Sequence, residues 1–319
     1  MSRSYTSSNS VRLNGSGTFI STLLERSLLL LSMTKPRIFV AITITAFMGM
    51  MLRPDFLVFS TLEIISLLVS TILACAGGAV LNHYFERKTD GLMNRTKNRP
   101  LVNADRTLCL QAFAFGTVLT VAGLAFSYLV LGWLSAFLLF LGFINYVLFY
   151  TLIFKHHSFW NVTVGGLSSS FAILAGDAAV TGQISTSGII LAVMLFFWNP
   201  VHFWNLAVLY QEDYKKAKIP MVSHAIGKLN TTWLILLHVL FVVVFSLMLG
   251  FSSILGMVYF ISAAVAGLVL LGMNFQNLFD LSNRLFRRNF IFSNMYILII
   301  FFGMVFDLMF NYSLSGVFS

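Results

Sequence analysis

Three side chains that carry oxygen atoms, Asn82, Glu86 and Asp90, recur at intervals of four residues. On one continuous helix they share a face, because residues four positions apart are rotated by only about 40°. Hard cations such as Mg²⁺ bind one or two protein carboxylates and complete their shell with water and phosphate oxygens. The spacing therefore fits a magnesium site, although a solvated helix end beside ordinary membrane-surface arginines has the same pattern.

Basic residues follow this acidic segment within a few positions, namely Arg95, Lys97 and Arg99. Guanidinium and ammonium groups donate hydrogen bonds to phosphate oxygens, so these residues supply the positive charge that a diphosphate requires. A second charged segment, which begins at Glu212 and Asp213, also follows an apolar run directly. The expected chemistry is the binding of a diphosphate with the help of a metal ion.

The apolar runs between these polar segments indicate the class of the protein. Apolar residues make up 58% of the chain and charged residues 10%, which is typical of integral membrane proteins. A helix of about 20 apolar residues crosses the hydrocarbon layer. We predict an all-α integral membrane fold of about nine transmembrane helices, near residues 38–53, 62–83, 108–130, 133–153, 160–181, 187–209, 232–250, 255–273 and 290–310.

The distribution of basic residues predicts the orientation of these helices. If the N-terminus is cytoplasmic, only Arg53 of the 20 Lys and Arg residues falls on the outer side. Positive charge accumulates in cytoplasmic loops, so we predict a cytoplasmic N-terminus and an outer C-terminus. The net charge of +9 then reflects orientation and attraction to anionic lipid headgroups. We expect the bilayer as a partner, and no nucleic acid.

The first 25 residues differ in composition from the rest of the chain. They are rich in Ser and contain Arg3 and Arg12, with no acidic residue before Glu25. Such a segment is typical of a disordered cytoplasmic tail, and a weak organelle transit peptide is the alternative. We predict a tail at residues 1–25 and a single transmembrane domain at residues 26–319.

Residues 82–101, NHYFERKTDGLMNRTKNRPL, resemble the first signature of the UbiA-type intramembrane prenyltransferases. The resemblance is closest to their haem branch, the protohaem IX farnesyltransferases. Two positions depart from the pattern of that branch. Glu86 stands in place of an Asp and retains the carboxylate, whereas Lys88 stands where the branch often has a third acid. The number of Mg²⁺ ions that this loop binds is therefore left open.

Residues 198–207, WNPVHFWNLA, and residues 212–221, EDYKKAKIPM, resemble the second signature of the same branch, with Lys218 in place of a glycine. Together with the segment TKPR at residues 34–37 and the Gly165-Gly166 pair, the resemblance covers about residues 30–225. It implies nine helices around a central cavity that opens to the lipid. Both signature loops would lie at the cytoplasmic end of that cavity.

The resemblance also implies roles for individual residues. The catalytic group would be Asn82, Glu86, Asp90 and Asp213, and the three carboxylates among them would bind Mg²⁺. The diphosphate would contact Arg95, Lys97, Arg99 and Lys155. The candidates for contact with haem are His202, Trp204 and His83. His202 lies within an apolar run, where an ionisable side chain usually faces a cavity or a partner; it could bind haem iron, a haem propionate or a neighbouring helix.

The implied reaction transfers a farnesyl group from farnesyl diphosphate to a vinyl group of protohaem IX, with addition of water, to give haem O. A plasma membrane fits this reaction, or a mitochondrial inner membrane if the source is eukaryotic. One alternative is a UbiA-type enzyme that acts on a quinone precursor or a lipid alcohol. A polytopic transporter is the other alternative. The sequence predicts neither the oligomeric state nor a role for Asp177 and Asp307.

Overall fold

Helices form all the regular secondary structure of the described residues. The structure is a computed structural model, and it describes residues 19–252 and 254–315. Short 3-10 turns lie at Phe56–Val58 and Gln276–Leu278, and a π-helical stretch at Asn145–Phe154. The α-helices are α1 (Phe19–Ser32), α2 (Pro36–Met51), α3 (Thr61–Asp90), α4 (Arg106–Leu131), α5 (Trp133–Ile144), α6 (Lys155–His157), α7 (Asn161–Asp177), α8 (Thr186–Leu209), α9 (Gln211–Lys216), α10 (Val222–Ala225), α11 (Gly227–Leu249), α12 (Met257–Phe275) and α13 (Asn283–Ser315).

Each of the nine predicted spans coincides with one of these helices. Seven helical segments of the described part are long and apolar enough to cross a membrane, and α5 with its extension through His157 counts as one of them. An eighth crossing results if α1 and α2, which are bent by 51° at their junction, form one broken span. The remaining predicted span coincides with α7, which has only 17 residues. The membrane fold is all-helical, and the count of nine crossings stays a prediction.

The N-terminal prediction is covered only in part. Residues 1–18 of the predicted tail lie outside the described residues, whereas residues 19–25 form the beginning of α1. Leu24, Leu28 and Leu31 on this helix are more than half exposed and follow one helical face. The helix ends at Ser32, three residues before Lys35, which adopts a left-handed backbone conformation with φ of 53° directly before Pro36.

Acidic side chains cap the N-termini of several helices, either directly or together with a serine. Ser60 and Glu63 form a capping box at α3, and Asp105 accepts the N–H of Leu108 at α4. Asp177 accepts hydrogen bonds from the backbone N–H and the hydroxyl of Ser185, which itself caps α8. Asp307 on α13 accepts the backbone N–H groups of three residues at the start of α12, Gly256, Val258 and Tyr259. Asp177 and Asp307 thus have structural roles.

Glycines allow two pairs of helices to approach closely. A Cβ atom at Gly77 of α3 would lie 2.5 Å from the carbonyl oxygen of Gly116 on α4. On α2 and α7, a Cβ atom at Gly49 would overlap the carbonyl oxygen of Ile173, and one at Gly176 that of Ala46. Small residues at membrane helix interfaces permit such backbone contact. These glycines join α3 to α4 and α2 to α7.

The helices enclose a central cavity and pack an apolar core. The cavity is lined by residues of α2, α3, α5, α7 and α8 and of the π-helical stretch. The core contains the largest fully buried side chains, from α8, α12 and α13, namely Trp204, Tyr259, Phe286 and Tyr296. Helix α8 contributes residues both to the lining of the cavity and to this core.

Candidate active site

The residues Asn82, Glu86 and Asp90 lie on one buried face of α3. The helix continues to Asp90, beyond the predicted end of the span near residue 83, and each of the three side chains is only 3% exposed. The common face expected from the spacing is thus confirmed. Burial of two carboxylates is costly unless each is paired with a positive charge and hydrogen-bonded.

Three basic residues from different parts of the chain pair with this face. Lys155 Nζ donates a hydrogen bond to Glu86 Oε1. Arg99 donates to both oxygens of Asp90 at 2.8 Å and lies 3.8 Å from Glu86. These pairs compensate the buried negative charge, and they place two cations at one end of the cavity.

Lys35, which the sequence indicated only as part of the TKPR segment, completes the group. Its Nζ atom donates a hydrogen bond of 2.6 Å to Asn82 Oδ1. The break between α1 and α2 carries the side chain to this position. A Lys-Pro pair at the start of an apolar run was the available signal, but a basic residue there is also typical of the membrane surface.

The π-helical stretch forms the wall opposite α3. Asn82 Nδ2 donates to Thr151 Oγ1 at 3.1 Å, and the Thr151 hydroxyl donates to the carbonyl oxygen of Tyr146. Tyr146 and Tyr150 line the cavity with their rings stacked, 5.9 Å apart and 12° from parallel. A Cβ atom at Gly165 would lie 2.8 Å from the Tyr150 ring, so the glycine makes room for that ring. Short π-helical segments are frequent at functional sites.

The two signature loops meet at Asp213. Its carboxylate accepts hydrogen bonds from Asn94 Nδ2 and from the backbone N–H of Arg95, both at 3.3 Å. The next residue, Tyr214, is buried and lines the cavity. Burial raises the pKa of the Tyr214 phenol above its ordinary value, so the hydroxyl is a neutral hydrogen-bond donor at physiological pH. Both loops therefore lie at the same end of the cavity.

The cavity has a polar end and an apolar body, with a volume of about 270 Å³. The polar end is lined by Lys35, Asn82, Glu86, Arg95, Arg99 and Lys155. The apolar body is lined by residues such as Ile38, Ile42, Leu139, Phe143, Phe203 and Leu206. An amphiphile with an anionic head and a hydrocarbon tail matches this distribution.

Several residues selected from the sequence lie elsewhere. Lys97 is exposed and borders a separate shallow groove together with Arg87 and Lys88, outside the central cavity. Lys88 therefore does not bring its charge into the acidic face of α3. His83 is buried beside Asn82 but does not line the cavity, and its Nδ1 atom has no hydrogen-bond partner among the described residues.

The two aromatic candidates for contact with haem on α8 also do not line the cavity. His202 is stacked between Trp198 and Phe290, and its Nδ1 atom lies 2.8 Å from the Ser293 hydroxyl on α13. Trp204 is fully buried, with its ring 4.9 Å from that of His238. Phe203, between them in sequence, is the residue that reaches the cavity.

The acidic residues of the site suit a metal ion that also binds phosphate. Among the described residues, no group of three His, Cys, Asp or Glu side chains lies close enough to hold a metal ion. Glu86 and Asp90 supply hard carboxylate oxygens within reach of one guanidinium group. Mg²⁺ usually takes only one or two protein carboxylates and obtains its other ligands from phosphate and water, so this set of residues fits Mg²⁺.

Comparisons with known proteins show the family of this chain. The model of the UbiA prenyltransferase family matches residues 42–305. Protoheme IX farnesyltransferase 1 of Paramagnetospirillum magneticum is 39% identical over 87% of this chain and 97% of its own length. This chain belongs to the UbiA prenyltransferase family. Protoheme IX farnesyltransferase of Rickettsia bellii, 34% identical over 84% of this chain and 88% of its own length, supports the assignment to the haem branch of the UbiA family.

Solved structures show that the helical arrangement is the UbiA fold. A digeranylgeranylglyceryl phosphate synthase aligns with a TM-score of 0.74 at 16% identity, over 89% of this chain and 99% of that chain. A UbiA homologue from Archaeoglobus fulgidus, solved with GPP and Mg²⁺, aligns with a TM-score of 0.62 at 15% identity, over 87% of this chain and 99% of that chain. At these identities the likeness is one of fold.

Proposed function

We propose that this UbiA-family protein transfers a farnesyl group from farnesyl diphosphate to a vinyl group of protohaem IX, which gives haem O and diphosphate. The observation that carries prenyl transfer is the cavity, which joins a cluster of buried acids and bases to an apolar body. The choice of haem and farnesyl is supported by the relatives, which are named protoheme IX farnesyltransferases.

The basic residues at the polar end bind the diphosphate and stabilise the negative charge that grows as the allylic C–O bond breaks. The face of α3 pairs with Lys35, Lys155 and Arg99. Arg95 of the first signature loop also lines the polar end of the cavity. Preorganised charges of this kind act strongly in a site that excludes water. Tyr146 and Tyr150 face the same space, where their stacked rings stabilise an allylic cation.

The acids Glu86, Asp90 and Asp213, with Asn82, would hold Mg²⁺ together with the diphosphate. When bound, Mg²⁺ acts as a Lewis acid that neutralises charge on the leaving diphosphate. An archaeal UbiA homologue that was solved with GPP and Mg²⁺ supports this dependence. The contacts of Asp213 with the first signature loop support one shared site, because its carboxylate accepts hydrogen bonds from Asn94 and Arg95 of that loop.

A transferase assay with purified protein tests the proposal. Protohaem, farnesyl diphosphate and Mg²⁺ are supplied in lipid or detergent, and haem pigments are identified by mass spectrometry. We expect haem O, and its formation stops on removal of Mg²⁺. Asp90→Asn lowers the rate by about 10²–10³-fold, the usual effect of losing one preorganised charged group. Asp55→Ala, an exposed acid far from this cluster in the sequence, is the matched control and keeps the rate.

The acceptor is decided by the same assay. If haem stays unmodified while a quinone precursor or a lipid alcohol is prenylated, the chain belongs to a branch of the UbiA family that uses another acceptor. Transport of a prenyl diphosphate without any transfer would contradict an enzymatic function. A bacterial plasma membrane is the location proposed, with the site at the cytoplasmic face, and a mitochondrial inner membrane if the source is eukaryotic.

A further inference from the structure

Two polar side chains, Asn199 of α8 and Ser168 of α7, line the cavity away from its charged end. Asn199 precedes Leu206, which also lines the cavity, by two helical turns, or about 10 Å along α8. Most of the surrounding wall is apolar, with Leu139, Phe143 and Ala172 among its residues. Polar groups in such a position are costly unless they have partners, so their hydrogen bonds indicate what they can bind.

The amide nitrogen of Asn199 is fully used by the protein. It lies 2.7 Å from Ser169 Oγ, 2.9 Å from the carbonyl oxygen of Leu195 and 3.4 Å from that of Gly166. These acceptors fix the orientation of the amide group. Its Oδ1 atom accepts no hydrogen bond from any described residue, and it is therefore available to a molecule in the cavity.

Ser168 offers the complementary group. Its Oγ atom accepts a hydrogen bond of 2.9 Å from Asn145 Nδ2. The same amide nitrogen also donates to the carbonyl oxygen of Val164, the acceptor that a helical serine four residues later would ordinarily use. The Ser168 hydroxyl hydrogen thus has no acceptor among the described residues. Ser168 and Asn199 both line the cavity, and Ser169, the hydrogen-bond partner of Asn199, is the next residue after Ser168 on α7.

The proposed reaction needs a bound water molecule as a reactant in addition to farnesyl diphosphate and haem. The vinyl π electrons form the new C–C bond to farnesyl as the C–O bond breaks and diphosphate leaves with its electron pair. The vinyl carbon next to the porphyrin ring is then positively charged. A water oxygen bonds to this carbon, and one water proton passes to the diphosphate. Without a water in place, the same cation loses a proton and gives an alkene.

We propose that Asn199 and Ser168 hold the water that adds to the haem side chain, a role that rests on the proposed function. A buried water needs two to four polar partners, and these side chains supply one acceptor and one donor. Asn199 Oδ1 accepts one water hydrogen and Ser168 donates to the water oxygen. The second lone pair of that oxygen is then directed at the cation. The two residues position the nucleophile and leave the binding of the diphosphate unchanged.

The test measures the ratio of hydrated to unhydrated farnesyl haem by mass spectrometry, in water enriched in ¹⁸O. The wild-type protein gives the hydrated product with the label. We expect Ser168→Ala to lower the ratio by about tenfold and Asn199→Ala to lower it further, as loss of a hydrogen bond implies. Ser170→Ala is the matched control, because its hydroxyl joins α7 to the Ala192 carbonyl of α8 and does not line the cavity.

The outcomes separate this proposal from the proposed function. A wild-type protein that farnesylates no haem overturns both. Wild-type haem O formation with an unchanged ratio in folded Ser168→Ala and Asn199→Ala overturns the water site alone. Loss of every haem product in both folded variants also overturns the water site, because it assigns the residues to prenyl transfer or substrate binding. If Asn199→Ala does not fold, Ser168→Ala decides the question.

Discussion

At the scale of single residues, the basic side chains of the site pair with its acidic and amide side chains. Lys155 and Arg99 pair with Glu86 and Asp90, and Lys35 donates a hydrogen bond to the amide oxygen of Asn82. The proposed function assigns the same bases to the diphosphate. A metal ion that arrives alone must compete with them, whereas a diphosphate that arrives with it attracts them away. We therefore expect the metal ion and the diphosphate to bind cooperatively.

Lys155→Met tests this exchange. Without the ammonium group, Glu86 has lost its hydrogen-bonded partner, so we expect Mn²⁺ alone to bind about tenfold more tightly. Turnover falls by about 10²-fold, because the diphosphate has lost a cation. Electron paramagnetic resonance of Mn²⁺ measures the first change and the transferase assay the second. Lys88→Met, an exposed residue outside the cavity, leaves both unchanged. Weaker Mn²⁺ binding in Lys155→Met would contradict the exchange.

At the scale of helices, contacts between backbones determine where the walls of the cavity lie. Gly49 and Gly176 bring α2 and α7 into direct contact, and Gly165 and Gly166 let α7 approach Tyr150 and Asn199. The contacts of Gly49 and Gly176 tolerate no added methyl group unless the helices separate, because the obstructing atoms there belong to the backbone.

Gly176→Ala is expected to destabilise the protein by about 1–3 kcal/mol, since its Cβ atom would overlap the carbonyl oxygen of Ala46. Thermal unfolding in detergent, followed by circular dichroism, measures the change. The matched control is Gly272→Ala on α12, where nothing lies within 4 Å of the new atom. We expect that variant to be unchanged or up to about 1 kcal/mol more stable, as Ala favours helix. Equal effects of both substitutions would contradict close packing at Gly176.

The start of α12 depends on a carboxylate from another helix. Asp307→Ala leaves three backbone N–H groups without their acceptor, and we expect a loss of about 2–4 kcal/mol in unfolding free energy. Asp280→Ala removes the hydrogen bonds of an exposed carboxylate to Ser282 and should cost less than about 0.5 kcal/mol. The same unfolding experiment compares them. A neutral Asp307→Ala would show that α12 begins without this cap.

At the scale of the whole molecule, the two loops and the end of the π-helical stretch lie at one end of the helices. The pair of Lys155 and Glu86 joins that stretch to α3, and Asp213 joins the second loop to the first. The loop at residues 178–185 connects the opposite ends of α7 and α8. A single orientation in the membrane therefore determines the side from which the diphosphate is bound.

Single cysteines test the predicted cytoplasmic side. In a variant without Cys75 and Cys109, Asn98→Cys and Gln183→Cys each introduce one exposed thiol, at the first loop and at the loop between α7 and α8. In intact cells, a membrane-impermeant maleimide should label Gln183→Cys and leave Asn98→Cys unlabelled. Both should react after lysis. The opposite pattern would reverse the orientation derived from the positive charges.

The sequence by itself determined the all-helical membrane class, the helices that coincide with the nine apolar runs, and the common face of Asn82, Glu86 and Asp90. These features depend on composition and on helical periodicity, which are local properties. The sequence also indicated that both polar loops resemble those of one enzyme family, and the family match confirms this resemblance.

Only the tertiary structure decided which residues share the cavity. Lys35 contacts Asn82 in the structure, although the two residues lie 47 positions apart in the chain. Phe203 lines the cavity, whereas Trp204 and His202 do not. Adjacent residues on a helix point about 100° apart, so the neighbour packed on each side decides which one faces the substrate. A pairing over such a distance depends on how the helices cross, and those crossings are set by backbone contacts at glycines.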